Sequence, residues 1–314
     1  MERISQLAKA REPFLFVLSY DLQERFVQPL KSLDGDVFFK IGHQRNYPKT
    51  PFQGKYNLHK YPLPFATYQQ ALEKVLEEIR SGNTYLLNLT FKTPIKTNLS
   101  LKEIFLYARA KYKLYFKDQF ISFSPEKFIE IEGNTITTYP MKGTIEASLP
   151  HAKEQILNNP KEMAEHVMIV DLMRNDLGRV GTAVRVDDFR YIDKIRAGEK
   201  ELLQVSSKIT AQLPNNWHEN LGELLSQILP AGSITGTPKH RTTQIIQEIE
   251  NYNRGFYTGV FGIFDGKNLY SAVMIRFIEQ TEGELYYKSG GGITLESDPA
   301  TEYQELIDKI YLPF

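Results

Sequence analysis

The chain has 314 residues, 41% of them hydrophobic and 12% aromatic, which is enough to bury a large core in one domain or in two closely packed halves. There are 38 lysines and arginines and 38 aspartates and glutamates, so the net charge does not indicate binding to nucleic acid or to an anionic membrane. No apolar run approaches the roughly 20 residues that span a bilayer, and no apolar signal segment begins the chain, which predicts a cytoplasmic protein. Cysteine is absent, which excludes disulfides, thiolate metal sites and thiol nucleophiles.

The first 65 residues alternate apolar stretches with turn residues and end in a Pro-, Tyr- and Lys-rich connection at 43–65. We expect this segment to support the rest of the chain, and we expect residues 66–314 to form one compact catalytic domain. Thr67 is the predicted N-cap of an amphipathic helix that Gly82 ends.

Strand-like stretches are concentrated in two regions. The first spans 85–139 and contains a predicted helix at about 101–111. The second consists of 258–264, 269–278 and 284–289. A middle region that reads as mostly helical separates them. Strands grouped before and after helices, without regular βαβ alternation, predict an α+β protein with mainly antiparallel sheet.

Two Glu-x-x-Glu pairs each begin a predicted helix. The pairs are Glu162 with Glu165, and Glu302 with Glu305. Asn159-Pro160 and Asp298-Pro299 precede them and read as N-cap and first helical residue, which puts each pair on one helix face. Each glutamate alone could be a cap or could complement the helix dipole. Four carboxylates favour Mg²⁺, a hard cation that binds oxygen.

Two glycine-containing segments could bring bare backbone N–H groups to an anion. The first is the run 290–292, which follows a strand-like stretch and could equally be a bulge or a tight bend. The second, PAGSITGTPK at 230–239, ends at a predicted helix with Thr237 as N-cap and Pro238 as its first residue, and helix N-termini bind anions. Its glycine spacing excludes a nucleotide P-loop. Arg276 lies in an apolar strand, so it needs either a structural carboxylate or a ligand.

Six motifs in one collinear order resemble the chorismate-binding enzymes. They are SPEKF, PMKGT, EHVMIVDLMRNDLGRV, PAGSITGTPK, RGFYTGVFG and SGGGITLESDPATEYQE, and they cover roughly residues 67–310. The resemblance implies largely antiparallel sheets packed face to face with helices on the outside, chorismate as substrate, and Mg²⁺ held by the four glutamates. The substrate-binding positions that it implies are Arg276, Tyr257, Thr235, Gly290, Gly291 and Gly292.

Lys142, in PMKGT, indicates which reaction of the family to expect. Members that form aminodeoxychorismate carry Lys there, whereas members resembling anthranilate synthase read Pro-Ile-Ala-Gly-Thr. The resemblance implies that Lys142 attacks C2 of chorismate, that Glu126 protonates the departing 4-hydroxyl, and that ammonia then adds at C4. Because amidotransferases that release ammonia from glutamine use a thiol, a chain without cysteine implies a separate glutaminase subunit.

Two positions depart from the family pattern. Leu86 stands where water-using members have a basic lysine, which argues against isochorismate synthesis. Leu202 stands where anthranilate-type members often have His. Anthranilate synthesis is the nearest alternative, and a non-catalytic regulatory subunit that binds chorismate is the alternative from a different class. The intact glutamate pairs argue against the regulatory subunit.

Overall fold

The computed structural model describes residues 1–48, 50–52, 54–197 and 200–314. Its helices are α1 (Glu2–Lys9), α2 (Phe65–Arg80), α3 (Leu101–Tyr107), α4 (Ala152–Asn158), α5 (Pro160–Val180), α6 (Leu221–Ile228), α7 (Lys239–Ile249) and α8 (Pro299–Asp308). Its strands are β1 (Phe14–Leu18), β2 (Arg25–Pro29), β3 (Val37–Ile41), β4 (Gln44–Arg45), β5 (His59–Lys60), β6 (Leu86–Lys96), β7 (Tyr112–Phe116), β8 (Phe120–Ser124), β9 (Lys127–Glu132), β10 (Thr135–Thr138), β11 (Met141–Glu146), β12 (Thr182–Ala197), β13 (Lys200–Gln212), β14 (Gly236–Thr237), β15 (Val260–Phe264), β16 (Leu269–Val273), β17 (Phe277–Thr281) and β18 (Glu284–Ile293).

The strands form two antiparallel sheets. Sheet A has the order β11-β13-β10-β9-β16-β15-β1-β2, with β12 paired to β13. Sheet B has the order β14-β6-β18-β17-β8-β7-β3-β4, with β5 paired to β6. Neighbours in each sheet come from distant parts of the chain, as where β1 pairs with β15. The predicted antiparallel sheet is therefore confirmed.

The two sheets pack face to face because strands such as β1 are apolar on both sides. Leu15 and Val17 of β1 face sheet B, where they meet Phe261 of sheet A and Leu114 and Phe116 of sheet B. The alternate residues of β1 face the opposite way, into a second core that α1, α5 and α6 cover. The burial of both faces explains why FLFVL contains no polar residue.

Helices cover the outer faces of both sheets. On sheet B, α3 packs over β8 and β17, and α2, α7 and α8 pack over β6 and the end of β18. The predicted α+β class, with sheets packed face to face and helices on the outside, is thus confirmed. Of the helices in the described part of the chain, none is both long enough and apolar enough to cross a membrane.

The first 65 residues belong to both sheets. β1 lies between β15 and β2 in sheet A, and β3 pairs with β7 in sheet B. The supporting role expected for the segment and the division at residue 65 both stay predictions.

Two helices begin at other residues than the sequence predicted. α2 begins at Phe65 with Pro64 at the N-cap position, and the N–H of Thr67 bonds to Pro64 O within the first turn (3.0 Å). α7 begins at Lys239 with Pro238 at the N-cap position, while Thr237 lies in β14 opposite Leu86. Proline has a fixed φ and no N–H to leave unsatisfied, so it can precede a helix without a polar cap.

α3 is shorter than the predicted helix at 101–111. It opens with a capping box between Ser100 and Glu103 and ends at Tyr107. Near its end, Lys113 Nζ donates to the carbonyl oxygens of Phe105 and Ala108 at 2.6 and 2.8 Å. The lysine satisfies carbonyls that a longer helix would have used.

The prediction of a mostly helical middle is wrong between residues 182 and 212. β12 and β13 form a long antiparallel hairpin there. Val184 and Val186 are half-buried, whereas Arg185 and Asp187, which alternate with them, are exposed. This alternation with period two is the pattern of a strand with one face in solvent.

Candidate active site

A cleft of about 1490 Å³ collects most of the predicted site residues. Those that line it are Glu126, Lys142, Glu162, Glu165, Tyr257, Arg276, Gly290, Gly292, Glu302 and Glu305. They come from β11, α5, β18, α8 and three connections, which join β8 to β9, α7 to β15 and β16 to β17. Residues far apart in sequence thus meet in one concave site, which is the usual form of a small-molecule site.

Lys142 lines the cleft at an irregularity of β11 that has the form of a β-bulge. The register between β11 and β13 shifts between Met141 and Thr144, and Gly143 adopts a φ of +82°, which glycine allows. Lys142 Nζ lies 3.5 Å from Glu165 Oε2. On its other side, a Cβ added to Gly292 would lie 2.7 Å from Lys142 Nζ. The amine therefore sits between a carboxylate and a glycine backbone.

Glu126 is held by two serines. Its N–H donates to Ser124 Oγ (3.0 Å), and the Ser233 hydroxyl donates to Glu126 Oε1. Burial raises the pKa of Glu126, and the Ser233 hydrogen bond with the positive charges of Lys142, Arg276 and Lys309 opposes that rise only in part. A carboxyl with a raised pKa stays protonated in conditions where an ordinary glutamate is ionised, as a general acid requires.

Both glutamate pairs lie where the capping motifs predict. Asn159 Oδ1 accepts the N–H of Glu162 at 3.1 Å at the start of α5. Asp298 Oδ1 accepts the N–H of Thr301 at 2.9 Å at the start of α8. The predicted helix starts at Pro160 and Pro299 are confirmed, and each helix presents its pair to the same cleft.

The carboxylates differ in their partners. Glu302 is buried and accepts the Ser297 hydroxyl at 2.7 Å. Glu305 pairs with Lys309 at 2.5 Å. Burial alone raises the pKa of Glu305, but Lys309, and to a smaller degree Lys142 and Arg276, outweigh this and lower it below its usual value. Glu305 is therefore a carboxylate that stays ionised.

The donor set fits a magnesium ion without forming a complete cage. Within the described ranges, no group of three or more His, Asp or Glu side chains is close enough to hold a cation. A Cβ on Gly291 would lie 3.5 Å from Glu302 Oε2 and 3.7 Å from Glu305 Oε1, which shows how near these two carboxylates lie to one backbone position. Mg²⁺ is commonly held by one or two carboxylates together with water and substrate oxygens, so a pair of this kind suffices.

The glycine run belongs to a strand rather than to a bulge or a bend. β18 continues through Gly290, Gly291 and Gly292 in regular register with β6. Its other neighbour, β17, begins at Phe277 opposite Lys288, so no strand in the described part of the chain pairs with this edge of the glycine run. Lys309 Nζ donates to Gly290 O at 2.7 Å. Gly290 and Gly292 line the cleft with bare backbone, whereas Gly291 is not among the lining residues.

Arg276 and Tyr257 also line the cleft. Arg276 sits between β16 and β17 with a φ of +51°, a strained conformation for this residue type. No carboxylate in the described part of the chain forms an ion pair with it, and its Nε is buried without a hydrogen-bond partner. Tyr257 is buried beside Phe277, and burial raises its pKa. A half-buried guanidinium without a carboxylate partner is suited to an anionic ligand.

The segment 230–239 contributes through Ser233 rather than through its helix. Lys239 Nζ bonds to both carboxylate oxygens of Asp176 at 2.7 Å in a buried pair, so its charge is already partnered. Thr235 is fully buried and its hydroxyl donates to Ala231 O at 2.8 Å. A substrate-binding role for Thr235 stays a prediction. Ser233, through Glu126, connects the segment to the site.

Sequence reasoning missed several residues that line the cleft. They are Ser233, Gln204, Tyr287, Lys309 and Tyr311. Lys309 is one helical turn beyond Glu305, which is a signal that spacing alone could have given. The side chain of Gln204, opposite Thr144 in the sheet, has a buried oxygen without a partner, and no local pattern indicates it.

The two positions that depart from the family pattern both adjoin the site. Leu202 lines the cleft. Leu86 Cδ1 would lie 3.3 Å from a Cβ on Gly292, the same point that is close to Lys142 Nζ. An apolar side chain thus stands beside the amine.

Comparisons with known proteins agree with this geometry. The family described as chorismate binding enzyme matches residues 5–313. An uncharacterized PabA-like protein from Haemophilus influenzae is 49% identical over the whole chain, which covers 96% of that protein. Aminodeoxychorismate synthase component 1 from Salmonella typhimurium is 32% identical over 94% of the chain and 67% of its own length.

The fold has a solved counterpart as well. The crystal structure of a putative 2,3-dihydroxybenzoate-specific isochorismate synthase from Bacillus anthracis has a TM-score of 0.75 and 20% identity. The alignment covers 98% of this chain and 87% of that one, and at this identity it shows the fold alone. With the family match over nearly the whole sequence, the chain belongs to the chorismate-binding enzymes.

Proposed function

We propose that the chain is component I of an aminodeoxychorismate synthase, which converts chorismate and ammonia to 4-amino-4-deoxychorismate. The observation that carries this proposal is the Lys142 amine, which lies in the cleft between Glu165 and the Gly292 backbone. A lysine there offers a nitrogen nucleophile at the centre of a carboxylate-lined site. The product is a precursor of p-aminobenzoate and folate, so we expect the enzyme in the cytoplasm.

Substrate binding divides between a cationic and an acidic part of the cleft. Chorismate carries two carboxylates, and Arg276 with Tyr257 and the open edge of the glycine run would hold the pyruvyl carboxylate. Mg²⁺, held chiefly by Glu165 and Glu305, with Glu162 and Glu302 contributing directly or through water, would supply positive charge for the ring carboxylate. The chemistry would then take place between Lys142 and Glu126.

The reaction would occur in two displacements. The Lys142 amine attacks C2, the ring double bonds shift, and the C4–O bond breaks while Glu126 gives its proton to the hydroxyl, which leaves as water. Ammonia then attacks C4, the double bonds shift back, and the C2–N bond breaks to release the Lys142 amine. The carboxylate of Glu126 takes the surplus proton from the new amine and is ready for the next turnover.

Ammonia must come from elsewhere. The chain has no cysteine to act as the thiol of a glutaminase, so we propose a separate glutamine amidotransferase subunit as its partner. Free ammonium should replace this subunit in vitro. Glutamine alone should not support turnover.

The test is the product formed from chorismate, Mg²⁺ and ammonium, separated by chromatography and identified by mass. We expect 4-amino-4-deoxychorismate without release of pyruvate. Anthranilate and pyruvate as sole products would replace this proposal with anthranilate synthesis on the same scaffold. The absence of any turnover, with and without a glutaminase, would favour a regulatory chorismate-binding subunit.

Lys142→Met tests the nucleophile while keeping much of the side-chain volume. We expect formation of 4-amino-4-deoxychorismate to fall by more than about 100-fold, because the covalent step is lost. Binding of chorismate should persist, since the carboxylate-binding residues are unchanged. Kinetics equal to wild type would remove the covalent step from the mechanism, and mass measurement of the intact protein during turnover can look for the adduct directly.

A further inference from the structure

Glu165 is a buried carboxylate with a single charged partner. It lies in the second turn of α5 and is 8% exposed, and Lys142 Nζ is 3.5 Å from its Oε2. In the described part of the chain, no other group forms an ion pair or a hydrogen bond with this carboxylate. A buried carboxylate is costly unless a positive charge compensates it. In this structure the amine of Lys142 provides that charge.

The ion pair between Lys142 and Glu165 is close but not tight. Hydrogen bonds between an ammonium group and a carboxylate are about 2.7–2.9 Å long. Lys239, for comparison, bonds to both carboxylate oxygens of Asp176 at 2.7 Å, whereas Lys142 lies 3.5 Å from Glu165. Another cation can therefore take the place of Lys142 at Glu165 without breaking a short hydrogen bond.

The surroundings keep the amine beside Glu165. A Cβ on Gly292 would lie 2.7 Å from Lys142 Nζ and 3.3 Å from Leu86 Cδ1. The backbone of β18 and an apolar side chain thus limit how far the amine can move from the carboxylate. Because its positive charge stays near Glu165, the lysine opposes the binding of any other cation there.

The same carboxylate is a proposed ligand of Mg²⁺. The ion lies about 2.0–2.1 Å from the carboxylate oxygens that bind it, so it would share the oxygens of Glu165 with the charge of Lys142. Each positive charge would then weaken the attraction of Glu165 for the other. Such a coupling is reciprocal, so a change at the lysine must appear as a change in metal affinity.

We propose that Glu165 is shared between Lys142 and the metal, so that the amine is held by this carboxylate before the metal binds and is released toward the substrate afterwards. The inference rests on the proposed function, in which Glu165 holds Mg²⁺ and Lys142 is the nucleophile. Glu165 is then a positioning residue for Lys142 as well as a metal ligand. This sharing makes the availability of the nucleophile depend on metal loading.

Competition for Glu165 can be measured without turnover. Lys142→Met leaves the carboxylate buried without a partner, and a divalent cation then gains its full attraction. Couplings between two sites in one protein typically change affinity by about 5- to 150-fold. We expect Lys142→Met to bind Mg²⁺ about tenfold more tightly than the wild type does. A lysine that only supported the fold would leave the metal affinity unchanged or lower it.

The dissociation constant of Mg²⁺ is measured by calorimetry at one pH and one ionic strength, without chorismate or ammonium, alongside Tm. Lys288→Met is the matched control, because Lys288 also lines the cleft but pairs with Glu279 at 2.7 Å. We expect the Kd of Mg²⁺ for this control to stay within about twofold of wild type. If Lys288→Met does not fold, Lys92→Met replaces it, because Lys92 pairs with the same Glu279 at 3.1 Å.

Lys142→Arg separates the charge of the side chain from its chemistry. The guanidinium stays charged and can pair with Glu165, but it cannot replace the amine as nucleophile. We expect this variant to bind Mg²⁺ no more tightly than wild type, although product formation is lost as in Lys142→Met. Two variants that are equally inactive should thus differ in metal affinity.

Four results would overturn the inference. The first is a Lys142→Met protein that binds Mg²⁺ no more tightly than wild type. The second is an equal gain in Lys288→Met, or in Lys92→Met where it replaces that control, and the third is an equal gain in Lys142→Arg. The fourth is no binding of Mg²⁺ by either wild type or Lys142→Met, which refutes the metal assignment of the proposed function as well. A wild type that binds Mg²⁺ but forms another product refutes only the proposed reaction, since the competition is measured from the Kd of the metal.

Discussion

Gly292→Ala tests the position of the Lys142 amine without touching the lysine. Gly292 lies in β18 and is not among the residues with positive φ, so alanine can adopt its backbone conformation. The added methyl would lie 2.7 Å from Lys142 Nζ and 3.3 Å from Leu86 Cδ1. Atoms at van der Waals contact are separated by about 3.5 Å or more, so the amine must move by roughly 1 Å.

The displacement sets the size of the expected effect. A reacting group misplaced by about 1 Å can lose roughly 100-fold in rate, which corresponds to about 2.7 kcal/mol in the barrier. Alanine also restricts the unfolded chain, which favours the folded state by about 0.4–1 kcal/mol where the backbone is compatible. The variant should therefore lose activity without losing stability.

The assay is steady-state formation of 4-amino-4-deoxychorismate from chorismate and ammonium, with urea unfolding measured in parallel. Gly35→Ala is the matched control, because no atom lies within 4 Å of a Cβ at that position. We expect wild-type kcat for Gly35→Ala and a kcat lower by about 100-fold for Gly292→Ala.

A stable Gly292→Ala protein whose kcat is within twofold of wild type would refute the reasoning. Either the amine would not lie beside Gly292, or it would not be the nucleophile. A loss of stability with unchanged kcat per folded molecule would likewise contradict the placement of Lys142.

Three other predictions concern Glu126, a buried ion pair between Arg254 and Glu250 (2.7 Å), and the metal ion. Ser233→Ala removes a hydrogen bond that lowers the pKa of Glu126, so Glu126 should stay protonated to higher pH. The alkaline decline of kcat/KM should therefore move to higher pH, and a shift to lower pH would contradict the role of Glu126 as acid. Glu250→Gln leaves the charge of Arg254 buried without its counter-ion and should reduce the free energy of unfolding by about 3–5 kcal/mol, measured with urea; an unchanged midpoint would show that the pair contributes nothing. Chelation of divalent cations should abolish turnover, and Mg²⁺ should restore it, whereas full activity in excess chelator would exclude the metal from the mechanism.

Local chemistry made part of this structure predictable. Asn159-Pro160 and Asp298-Pro299 mark the starts of α5 and α8 because an N-cap side chain bonds to an N–H only two or three residues away. The strand predicted at 258–264 is found as β15, with a turn at Asp265 after it, because alternation and turn residues are also local signals. The prediction of one strand at 269–278 that contains Arg276 is wrong: β16 of sheet A ends at Val273, β17 of sheet B begins at Phe277, and Arg276 lies between them. The glutamate pairs could therefore be placed at helix starts before any tertiary contact was known.

The missed features depend on contacts between distant residues. Tyr311 lines the cleft because its neighbours are buried beneath sheet B, and Ser233 reaches Glu126 from more than a hundred positions away. The family motif identifies Lys142, but the bulge that places it in the cleft depends on the pairing of β11 with β13. β13 itself lies in the region that read as mostly helical. The family motifs identified the residues, and only the sheet order brings them together.

The position of β1 in sheet A has a consequence for synthesis of the protein on the ribosome. Phe14 pairs with Phe264, so the edge of β1 that faces β15 cannot be paired until β15 has left the exit tunnel of the ribosome. Protein synthesis proceeds at about 5–20 residues per second, so β15 is made on the order of 10 to 50 s after the apolar segment FLFVL of β1. During that interval β1 can pair with β2 on one edge, but the edge that faces β15 stays open and every side chain of the strand is apolar, which makes it a target for chaperones or for aggregation. Nascent chains arrested before β15 should therefore bind holdase chaperones more strongly than chains arrested after β16.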